Sequence, residues 1–416
     1  MSAPTAPSRI LLISPHFAPE DFKCNDTAFE LAARGYDVTA LSDIPNYPQG
    51  KFYKGYGLFR RRREIVRGVK VIRTAVIPRG SGSGVRLALN YLSFALTACI
   101  RALFMALFDR YDVVIVHQVS PITVGLPALI IKVLRPRTKL LFWVLDLWPE
   151  SLEVAGGITN RHILGVFEHL AKRCYKASDR ILISSRGFGR SICEKGDFSS
   201  KLVYFPNWAD DGLTKNTEYT LPPLPEGFRI MFAGNVGESQ DFDHTLEAFR
   251  IIRDRGYRDI HLLIVGDGRK REWVERYIAE NELADMVHCL GRHPLESMGR
   301  FFAAADVLYL ALKDCSIFNL TCPAKLQAYM SAGRPVLAML NGDGAEIIRE
   351  ARCGESVPAG ASEALADAII GMSQLPSEQL RTMGANGRKY CAENFSFVKN
   401  MNTLTLLVES HDAVGA

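Results

Sequence analysis

The residues best suited to chemistry lie in the back half of the chain, in turns that follow short apolar runs. Ile230–Ala233 leads into a turn that contains Gly234 and Gly237, and the turn Gly266-Asp267-Gly268 follows the apolar run LLIV. Glycines after a strand let backbone amides approach an anion, and the start of a following helix favours negative charge. Either turn alone is typical of ordinary turn chemistry, but two of them in one α/β region favour a nucleotide site.

A lysine at a predicted helix start adds a cation to these turns. The segment Thr321-Cys322-Pro323-Ala324-Lys325 opens a helix that ends at Ala332-Gly333. Pro323 suits the first turn of a helix, and the free amides before it would form a nest for phosphate. A cation in the first turn opposes the helix dipole, so we interpret Lys325 as a ligand for a bound anion rather than as a solvated lysine.

Polar residues in the front half predict a second set of site residues, on the acceptor side. Asp146 and Glu150 follow the apolar run LLFWVL, and His16 and Glu20 lie in the loop after the first apolar run of the chain. Side chains at the carboxyl end of a buried strand lie at the ligand-binding edge of an open α/β sheet. Asp146 is the candidate for orienting the acceptor or accepting its proton, whereas Glu150 also suits a helix start.

Other kinds of chemistry find little support in the sequence. Asp241-Phe242-Asp243 is formally a DxD motif for a metal diphosphate, but its position before a helix favours N-capping. The nine cysteines are scattered without a CxxC pair, and no His/Cys cluster or nucleophile elbow occurs. We therefore expect no metal, no disulfide framework and no Ser-His-Asp triad, and the cysteine usage fits a reducing cytosol.

The apolar runs that must position these residues alternate with helical patterns, which predicts an α/β fold with a doubly wound parallel sheet in each half. The strands expected are Arg9–Ser14, Asp37–Leu41, Val69–Thr74, Asp112–His117, Lys139–Leu145, Ile181–Ser184, Leu202–Phe205, Ile230–Ala233, Ile260–Val265, Val287–Leu290, Val307–Ala311 and Pro335–Met339. The helices expected include Asn25–Arg34, Arg86–Phe108, Ile122–Leu134, Arg161–Ala177 and Ser377–Glu409. Asn207–Gly227, with three prolines and little periodicity, is typical of a linker. Two such sheets facing each other would leave a ligand cleft between the carboxyl ends of their strands.

Length and composition agree with two globular domains. The chain has 416 residues, of which 48% are hydrophobic and 23% charged, and this excludes a disordered or collagen-like protein. It carries 29 basic and 16 acidic residues up to residue 205, against 21 and 29 after it. The basic front half suggests anionic lipid or nucleic acid, but no nucleic-acid motif is visible, so we expect no nucleic acid partner. The opening segment lacks the order of a secretory signal, so we expect no export.

The most apolar segment, Arg86–Phe108, reaches the length of a membrane span. Arg101 lies inside it and a strand-like run follows closely, so a buried or surface-lying helix is favoured over a span. Upstream, Arg60–Arg63 is a basic cluster of the kind that accompanies helices lying in the plane of a membrane. Two interpretations stay open: a cytoplasmic protein that is peripheral to the inner face of the plasma membrane, and a core helix beside a solvated arginine loop.

Seven segments together resemble the retaining glycosyltransferases of family 4, and more closely the WbuB-type bacterial transferases of O-antigen, capsule and colanic acid assembly. The resemblance covers nearly the whole chain, and the set is specific although each segment alone is not. The segments are Ile44–Pro48 with Gly50-Lys51, Gly68–Arg73, Leu89–Ala95, Asp146–Ser151, Phe205–Trp208, Ala233–Gly237 and Pro323–Leu326.

This resemblance implies the two-domain GT-B fold and metal-independent transfer of a sugar, with retention, from a UDP-sugar to a lipid-linked or saccharide acceptor. The donor sugar implied is N-acetylfucosamine or a related N-acetylated hexose. The expected limits are 1–206 for an acceptor domain, 207–228 for the linker, 229–395 for the nucleotide-sugar domain and 396–416 for a helix that crosses back to the acceptor domain. The alternatives are a non-catalytic GT-B scaffold subunit and a UDP-sugar epimerase or hydrolase.

The chain departs from the broad family at several positions. The two glutamates of the Glu-x7-Glu motif fall at Leu320 and Ala328, the usual Arg and Lys at Asn235 and Gln240, and the front glycine pair is replaced near Phe22 and Lys23. By resemblance Lys325 and the amides near Thr321 would hold the diphosphate. Asn319 and Asp314 are the candidates for contacting the ribose, and Arg292 lies in the loop that usually meets the base. The full donor set expected is Gly234, Asn235, Gly237, Gln240, Gly266, Asp267, Gly268, Arg292, Asn319, Thr321, Pro323 and Lys325.

Overall fold

The computed structural model describes residues 8–80, 82–154, 157–209 and 218–410, which form two compact units. The first unit holds the described residues up to Phe205 together with those from Val398 onward. The second unit runs from Pro206 to Phe397. The chain therefore passes between the units twice, once after residue 205 and once after residue 397.

The first unit is built on an eight-stranded sheet. Its strands are β1 (Arg9–Ile13), β2 (Asp37–Asp43), β3 (Arg63–Val66), β4 (Val69–Thr74), β5 (Val113–Gln118), β6 (Lys139–Val144), β7 (Arg180–Ile183) and β8 (Leu202–Tyr204). Their order across the sheet is β3-β4-β2-β1-β5-β6-β7-β8, with β3 antiparallel to β4 and the other neighbours parallel. The order reverses between β1 and β5, and ligands of doubly wound sheets bind at the carboxyl ends of such strands.

Helices pack on this sheet because its central strands must be covered on both faces. β5 is buried at every position and β1 and β6 at all but their first, as expected for strands of Val, Ile and Leu inside an α/β layer. The helices are α1 (Lys23–Ala33), α2 (Gly84–Phe108), α3 (Leu126–Leu134), α4 (Glu150–Val154), α5 (Arg161–Ala177) and α6 (Arg186–Glu194).

The second unit repeats the plan with six parallel strands. They are β9 (Phe228–Ala233), β10 (Ile260–Val265), β11 (Val287–Gly291), β12 (Val307–Ala311), β13 (Val336–Met339) and β14 (Gly354–Val357), in the order β11-β10-β9-β12-β13-β14. The helices are α7 (Phe242–Asp254), α8 (Arg271–Glu280), α9 (Met298–Ala304), α10 (Ser316–Asn319), α11 (Ala324–Ala332), α12 (Asp343–Ala351), α13 (Ser362–Ser373), α14 (Ser377–Asn394) and α15 (Phe397–Glu409), the last of which belongs almost wholly to the first unit. The order reverses between β9 and β12, so the turn after β9 lies at the second ligand-binding edge.

The structure differs from the sequence expectations at four places. β3 and β14 were not expected, because REIV follows an arginine run and GESV is short and polar. The single terminal helix Ser377–Glu409 is two helices, interrupted after Asn394. The side chain of Asp241 does not cap α7, since the residue is left-handed and its carboxylate instead contacts His244 Nδ1 at 2.8 Å.

The segment expected to be a linker packs on the second unit where it is described. Its residues 210–217 lie outside the described residues. The ring of Trp208 lies 4.9 Å from that of Phe397, and Tyr219, Leu221 and Leu224 pack on the apolar layer of this unit. The Tyr219 hydroxyl also lies 2.8 Å from His293 Nδ1. These contacts make the described parts of the segment a layer of the second unit.

Helix α2 is both a structural helix of the first unit and an apolar surface. Four of its alanines, Ala95, Ala98, Ala102 and Ala106, are buried together with Phe94, and the helix packs against α3, β2 and β4. Its other residues leave an exposed row, which we call the α2 apolar face and which consists of Leu89, Leu92, Leu96, Ile100, Leu103, Phe104, Leu107 and Phe108. By length and composition alone, α2 is the one helix among the described residues that could cross a membrane.

The arginine run forms part of a hairpin rather than a fully solvated loop. Arg63 begins β3, and the guanidinium of Arg62 donates to the carbonyl oxygens of Arg73 at 2.7 Å and Leu58 at 2.8 Å. Arg60, Arg61 and Arg63 are exposed. Three of the four charges are therefore free to meet an anionic surface, and the fourth stabilises the hairpin.

Helix α15 is held to the first unit by polar contacts at its end. Lys139, at the start of β6, donates to the carbonyl oxygen of Leu407 at 2.8 Å and to Ser410 Oγ at 3.0 Å. The hydroxyl of Tyr36 donates to Glu409 Oε1 at 2.5 Å, and Arg34 donates to Asn402 Oδ1 at 2.9 Å. A cation at the last turn of a helix satisfies carbonyl groups that have no partner inside the helix.

We expect Lys139→Met to loosen α15. Charge-assisted hydrogen bonds of this kind contribute about 1.5 kcal/mol or more, so amide exchange within α15 should accelerate roughly tenfold. The measurement is hydrogen exchange on the full chain, with Lys172→Met, which removes a surface pair with Glu168 on α5, as the matched control. Unchanged protection of α15 in Lys139→Met would contradict the assignment.

Candidate functional site

Lys325 is the centre of the candidate site in the second unit. It lies in the first turn of α11, and its ammonium donates to Gln240 Oε1 at 2.5 Å and lies 3.8 Å from the ring centroid of Phe232. Phe232 belongs to β9, and Gln240 belongs to the loop that follows it. The lysine expected to bind an anion therefore lies directly beside the turn expected to bind the same anion.

Burial lowers the pKa of Lys325 to about 7. An aromatic face and a neutral amide offset only part of the cost of removing an ammonium from water. No carboxylate of the described residues forms an ion pair with it. A negatively charged ligand would supply the missing interaction, and this is the electrostatic property that an anion site requires.

Two glycines allow the neighbouring backbone to approach. Gly234 has a φ of +139°, and a Cβ there would lie 2.6 Å from Lys325 Cε. Gly266 has a φ of +144°, and a Cβ there would lie 1.8 Å from the carbonyl oxygen of Gly234. The loops after β9 and β10 are further joined by the Val236 amide, which donates to Asp267 O at 2.9 Å. These contacts bring Gly234, Gly266 and Lys325 together as the sequence predicts.

Tyr329 links the lysine-bearing helix to the same turn. It lies one turn after Lys325 on α11 and is buried, and its hydroxyl oxygen accepts from the Ala233 amide at 2.9 Å and donates to the Ala233 carbonyl at 3.2 Å. β12 pairs with β9 only at Ile230 and Met231, so Tyr329 satisfies the backbone of β9 where the two strands diverge. The sequence analysis missed this residue, because nothing in the chain near Tyr329 signals a contact with residue 233.

Ion pairs hold the loop after β9 from the other side. Lys313 and Lys270 both contact Glu238, the second at 3.5 Å, and both also contact Asp243. The Lys313 amide donates to Ser239 O at 3.1 Å. Glu238, Lys270 and Lys313 come from the loops after β9, β10 and β12, and Asp243 comes from α7. The network therefore holds the loop that carries Gln240.

The expected phosphate nest before α11 is only partly present. The Thr321 amide donates to Phe318 O at 3.1 Å and its hydroxyl to Ile317 O at 2.7 Å, so both groups serve the short helix α10 and the prediction that this amide is free is wrong. Pro323 is the residue immediately before α11. The amides of Ala324 and Lys325 open α11 and have no acceptor inside the helix, so they remain the backbone donors of this site.

The other predicted donor residues lie around this centre with different roles. Asn319 donates to Asp314 Oδ1 at 2.9 Å, and this bond lowers the pKa of Asp314. Asp267 accepts from the Gly268 amide at 2.8 Å, Arg292 is exposed, and Asn235 is exposed beside Gly237. Their parts in ligand binding stay predictions.

The first unit has its own cluster at the reversal point beside β1. His16 and Glu20 are buried, with Nδ1 and Oε2 2.7 Å apart, and Glu20 Oε1 accepts from the amides of Asn46 and Tyr47 at 2.5 and 2.6 Å. Asp43, also buried, lies beside this pair. Burial, with Glu20 nearby, raises the pKa of Asp43 well above its ordinary value.

These three side chains can each place one ligand atom within 4.8 Å of the others, which is the spacing of a metal site. The donor set fits a dication poorly, however, because both Glu20 oxygens already accept hydrogen bonds. The guanidinium of Arg73, which donates to the backbone carbonyl of Asp43 at 3.1 Å, also places a positive charge beside the cluster. We therefore interpret the cluster as an organised polar edge rather than as a metal centre.

Asp146 and Glu150 are close in sequence but contact different parts of the first unit. Asp146 accepts from Ser120 and Ser151 hydroxyls and from Trp148 Nε1 at 3.1 Å, so it is oriented by three donors at the carboxyl end of β6. Glu150 contacts Lys195 and accepts from Ser191 Oγ at 2.8 Å. It therefore joins α4 to α6, and Asp146 is the better placed of the two for an acceptor role.

Two family models match the chain on either side of residue 210. One, described as "Glycosyl transferase 4-like domain", matches residues 24–208, and the other, "Glycosyl transferases group 1", matches residues 227–374. The chain belongs to the GT-B glycosyltransferases. The expected fold class is thereby confirmed, since each model covers one of the doubly wound units.

Individual proteins resemble this glycosyltransferase along most of its length. It is 22% identical over 322 residues to the glycosyl transferase WcaI of Escherichia coli (strain K12), named for colanic acid biosynthesis, a match that covers 73% of this chain and 75% of WcaI. The sucrose-phosphate synthase of Thermosynechococcus elongatus shares its fold with a TM-score of 0.72, at 16% identity and 96% and 98% coverage. Anabaena HepE, solved in complex with UDP and glucose, also shares the fold, with a TM-score of 0.64 and 13% identity. The match covers 96% of this chain and 99% of HepE.

We expect Lys325→Met to stabilise the unliganded glycosyltransferase near pH 7. In the native protein Lys325 has a pKa of about 7, whereas in the unfolded chain its pKa is about 10.5. Between these two pH values the unfolded chain binds the proton and the native protein does not. The free energy of unfolding of the wild type therefore rises in this window by on the order of 1 kcal/mol per pH unit. The amount by which Lys325→Met is more stable than wild type should therefore decrease as pH rises from 7 to 9.5.

The measurement is calorimetric melting in buffers without phosphate. The exposed Lys389→Met on α14 is the matched control and should differ from wild type by a constant amount. If the difference in melting temperature between Lys325→Met and wild type stays constant or increases from pH 7 to 9.5, Lys325 is not a desolvated cation.

Proposed function

We propose that this glycosyltransferase transfers a sugar from a UDP-sugar, with retention of configuration and without a metal, to a lipid-linked or saccharide acceptor in bacterial surface polysaccharide synthesis. The observation that carries the proposal is the ammonium of Lys325, desolvated beside two glycine turns at the reversal point of the second sheet. Support for the class of product comes from WcaI, and support for the class of donor comes from HepE, which was solved with UDP and glucose.

The reaction requires stabilisation of the departing diphosphate. As the bond between the anomeric carbon and the phosphate oxygen breaks, negative charge grows on the diphosphate, and Lys325 with the first amides of α11 would receive it. One well-placed donor in a water-poor site is worth about 3–4 kcal/mol of barrier. Asp146 would orient the acceptor hydroxyl or take its proton as the acceptor attacks from the face that the diphosphate leaves.

The donor sugar proposed is N-acetylfucosamine or a related N-acetylated hexose. Its support is the resemblance of the motif set to WbuB-type transferases. A thermal-shift screen over UDP-sugars tests it, because a ligand that binds only the native protein raises the melting temperature.

The proposal predicts that Lys325→Ala lowers turnover at least a hundredfold, since about 3 kcal/mol of barrier stabilisation is lost. The assay is UDP release from a UDP-sugar with and without acceptor, and the matched control is Lys389→Ala, which should retain full rate. The melting temperature reports whether each variant is folded.

The outcomes separate the competing functions. Acceptor-dependent release that collapses in Lys325→Ala supports the transferase. Release without acceptor would support a UDP-sugar hydrolase, and UDP binding without release would support a scaffold subunit. A folded Lys325→Ala with near-normal turnover would remove Lys325 from the mechanism.

We also propose that the protein acts at the inner face of the plasma membrane. The α2 apolar face is long enough to lie in the interfacial region, and the exposed Arg60, Arg61 and Arg63 supply attraction for anionic lipid. Phe59, 97% exposed next to these arginines, adds an aromatic residue of the kind found at membrane interfaces.

Vesicle sedimentation tests the membrane contact. Replacing Arg60, Arg61 and Arg63 with serine, and leaving the structural Arg62, should weaken binding to phosphatidylglycerol vesicles tenfold or more, with the difference fading at high salt. Leu92→Ser with Leu96→Ser should weaken binding to neutral and anionic vesicles alike. The exposed Leu406→Ser on α15 is the control, and wild-type binding in both test variants would exclude this surface.

A further inference from the structure

Two histidines meet at the amino-terminal edge of the second sheet, the edge opposite the Lys325 site. His261 is the second residue of β10, and His288 is the second residue of β11. Leu263 pairs with His288 in the register of these strands, so His261 and His288 lie on the same face of the sheet. His261 Nδ1 lies 3.3 Å from His288 Nε2. The two rings are therefore direct neighbours, although they are 27 residues apart in the sequence and formed no visible motif there.

The carbonyl oxygen of Asp285 completes a triangle of polar atoms with the two rings. It lies 3.1 Å from His261 Nδ1, and it also forms a hydrogen bond with the ring of His288. Asp285 belongs to the turn between α8 and β11. Two imidazole nitrogens and one carbonyl oxygen thus converge on one point, and each of them comes from a different segment of the second unit.

The spacing of these atoms is that of ligands around a tetrahedral metal ion. With Zn–N distances of about 2.0–2.1 Å, two ligands at the tetrahedral angle lie about 3.3 Å apart. The separations of 3.3 Å between the nitrogens of His261 and His288 and of 3.1 Å between His261 and the Asp285 oxygen match this value. A neutral imidazole becomes a ligand when its proton moves to the other ring nitrogen, so metal binding requires no change in the charge of either ring.

The neighbouring groups favour the same class of ligand. Cys289 points to the opposite face of β11, where Glu275 lies near it, so its thiol does not belong to this donor set. Arg229, which pairs with His261 in the register of β9 and β10, has its charge offset by Asp306, 3.8 Å away. Imidazole nitrogens favour Zn²⁺, Ni²⁺ and Cu²⁺, whereas Mg²⁺ and Ca²⁺ prefer sites built from oxygen atoms alone.

We propose that His261, His288 and the Asp285 carbonyl oxygen form a binding site for a divalent transition metal ion of the Zn²⁺ class. The role of the site is structural, because it lies at the edge of the sheet opposite the glycine turns and Lys325. β11 is the outermost strand of its sheet, and at its carboxyl end Gly291 O accepts from the Gly266 amide at 2.7 Å. A metal ion at the histidine pair would fasten the other end of the same edge strand.

The experiment measures Zn²⁺ binding to the full chain, without an affinity tag and with the cysteines kept reduced, by calorimetry and amide hydrogen exchange. Zn²⁺ should slow exchange in β10, β11 and the turn before β11, because a ligand of the native state opposes local opening. His288→Gln keeps a hydrogen-bond donor but removes an imidazole, so it should weaken this binding at least tenfold. His162→Gln, the same change at an exposed histidine of α5, is the matched control and should bind like wild type.

Further variants separate a metal site from an ordinary hydrogen-bonded pair. His261→Gln should also lose the Zn²⁺-dependent protection, whereas Cys289→Ala should keep it. If the pair served only to join β10 and β11, His288→Gln would lower the melting temperature without Zn²⁺ and leave the effect of Zn²⁺ unchanged. His288→Leu, which fills the same space without a ligand atom, serves if His288→Gln does not fold.

Several results would overturn the proposal. These are Zn²⁺-dependent protection of β11 that persists in His288→Gln, an equal loss in His162→Gln, and equal protection by Mg²⁺, which would indicate charge screening rather than coordination. Protection centred on His16, Glu20 and Asp43 would assign the ion to the polar cluster of the first unit instead.

The outcome is independent of the proposed function. UDP should bind to His288→Gln as it does to wild type, because the histidine pair and Lys325 lie at opposite edges of the second sheet. Intact UDP binding with no effect of Zn²⁺ on β11 would reject only the metal site. Absence of UDP binding in the wild type would reject the donor site and leave the Zn²⁺ test valid.

Discussion

The removal of one ammonium group from water is the constraint on which the second unit depends. Lys325 can lie against Phe232 only because residue 234 has no side chain, because Gln240 offers an amide oxygen, and because α11 begins where it does. Tyr329 and the pairs made by Lys270 and Lys313 then fix the surrounding loops. Each of these contacts costs conformational freedom, and the arrangement has a physical purpose if an anion completes it.

The first unit also contains a cation that contacts aromatic rings. Arg79, like Lys325, is held by aromatic rings and a neutral oxygen rather than by a carboxylate. Neither cation forms an ion pair among the described residues.

Signals that act within a few residues explain how much of the fold and of the candidate site could be predicted from the sequence. Short apolar runs, glycines after strands and a proline before a helix gave both sheets and the pairing of Gly234 with Lys325, because each signal acts within a few residues. The contacts of Arg79 with Tyr47 and Tyr91 were not predicted, because the two rings come from the loop after β2 and from α2. The free amide predicted at Thr321 was wrong because four residues, Ser316–Asn319, form a helix too short to leave a periodic pattern. β3 was missed because its arginines suggested solvent rather than a sheet edge.

The return of α15 to the first unit has a consequence for how the protein is made. The ribosome synthesises the chain in sequence order, so residues 8–205 emerge long before α15. The groups of Arg34, Tyr36 and Lys139 that bind α15 must stay without this partner until the second unit has been synthesised. The second unit, contiguous from Pro206 to Phe397, can close first. Completion of the first unit is thereby deferred until α15 has been synthesised, and a nascent chain that stalls before α15 would hold an assembled second unit and an unfinished first unit.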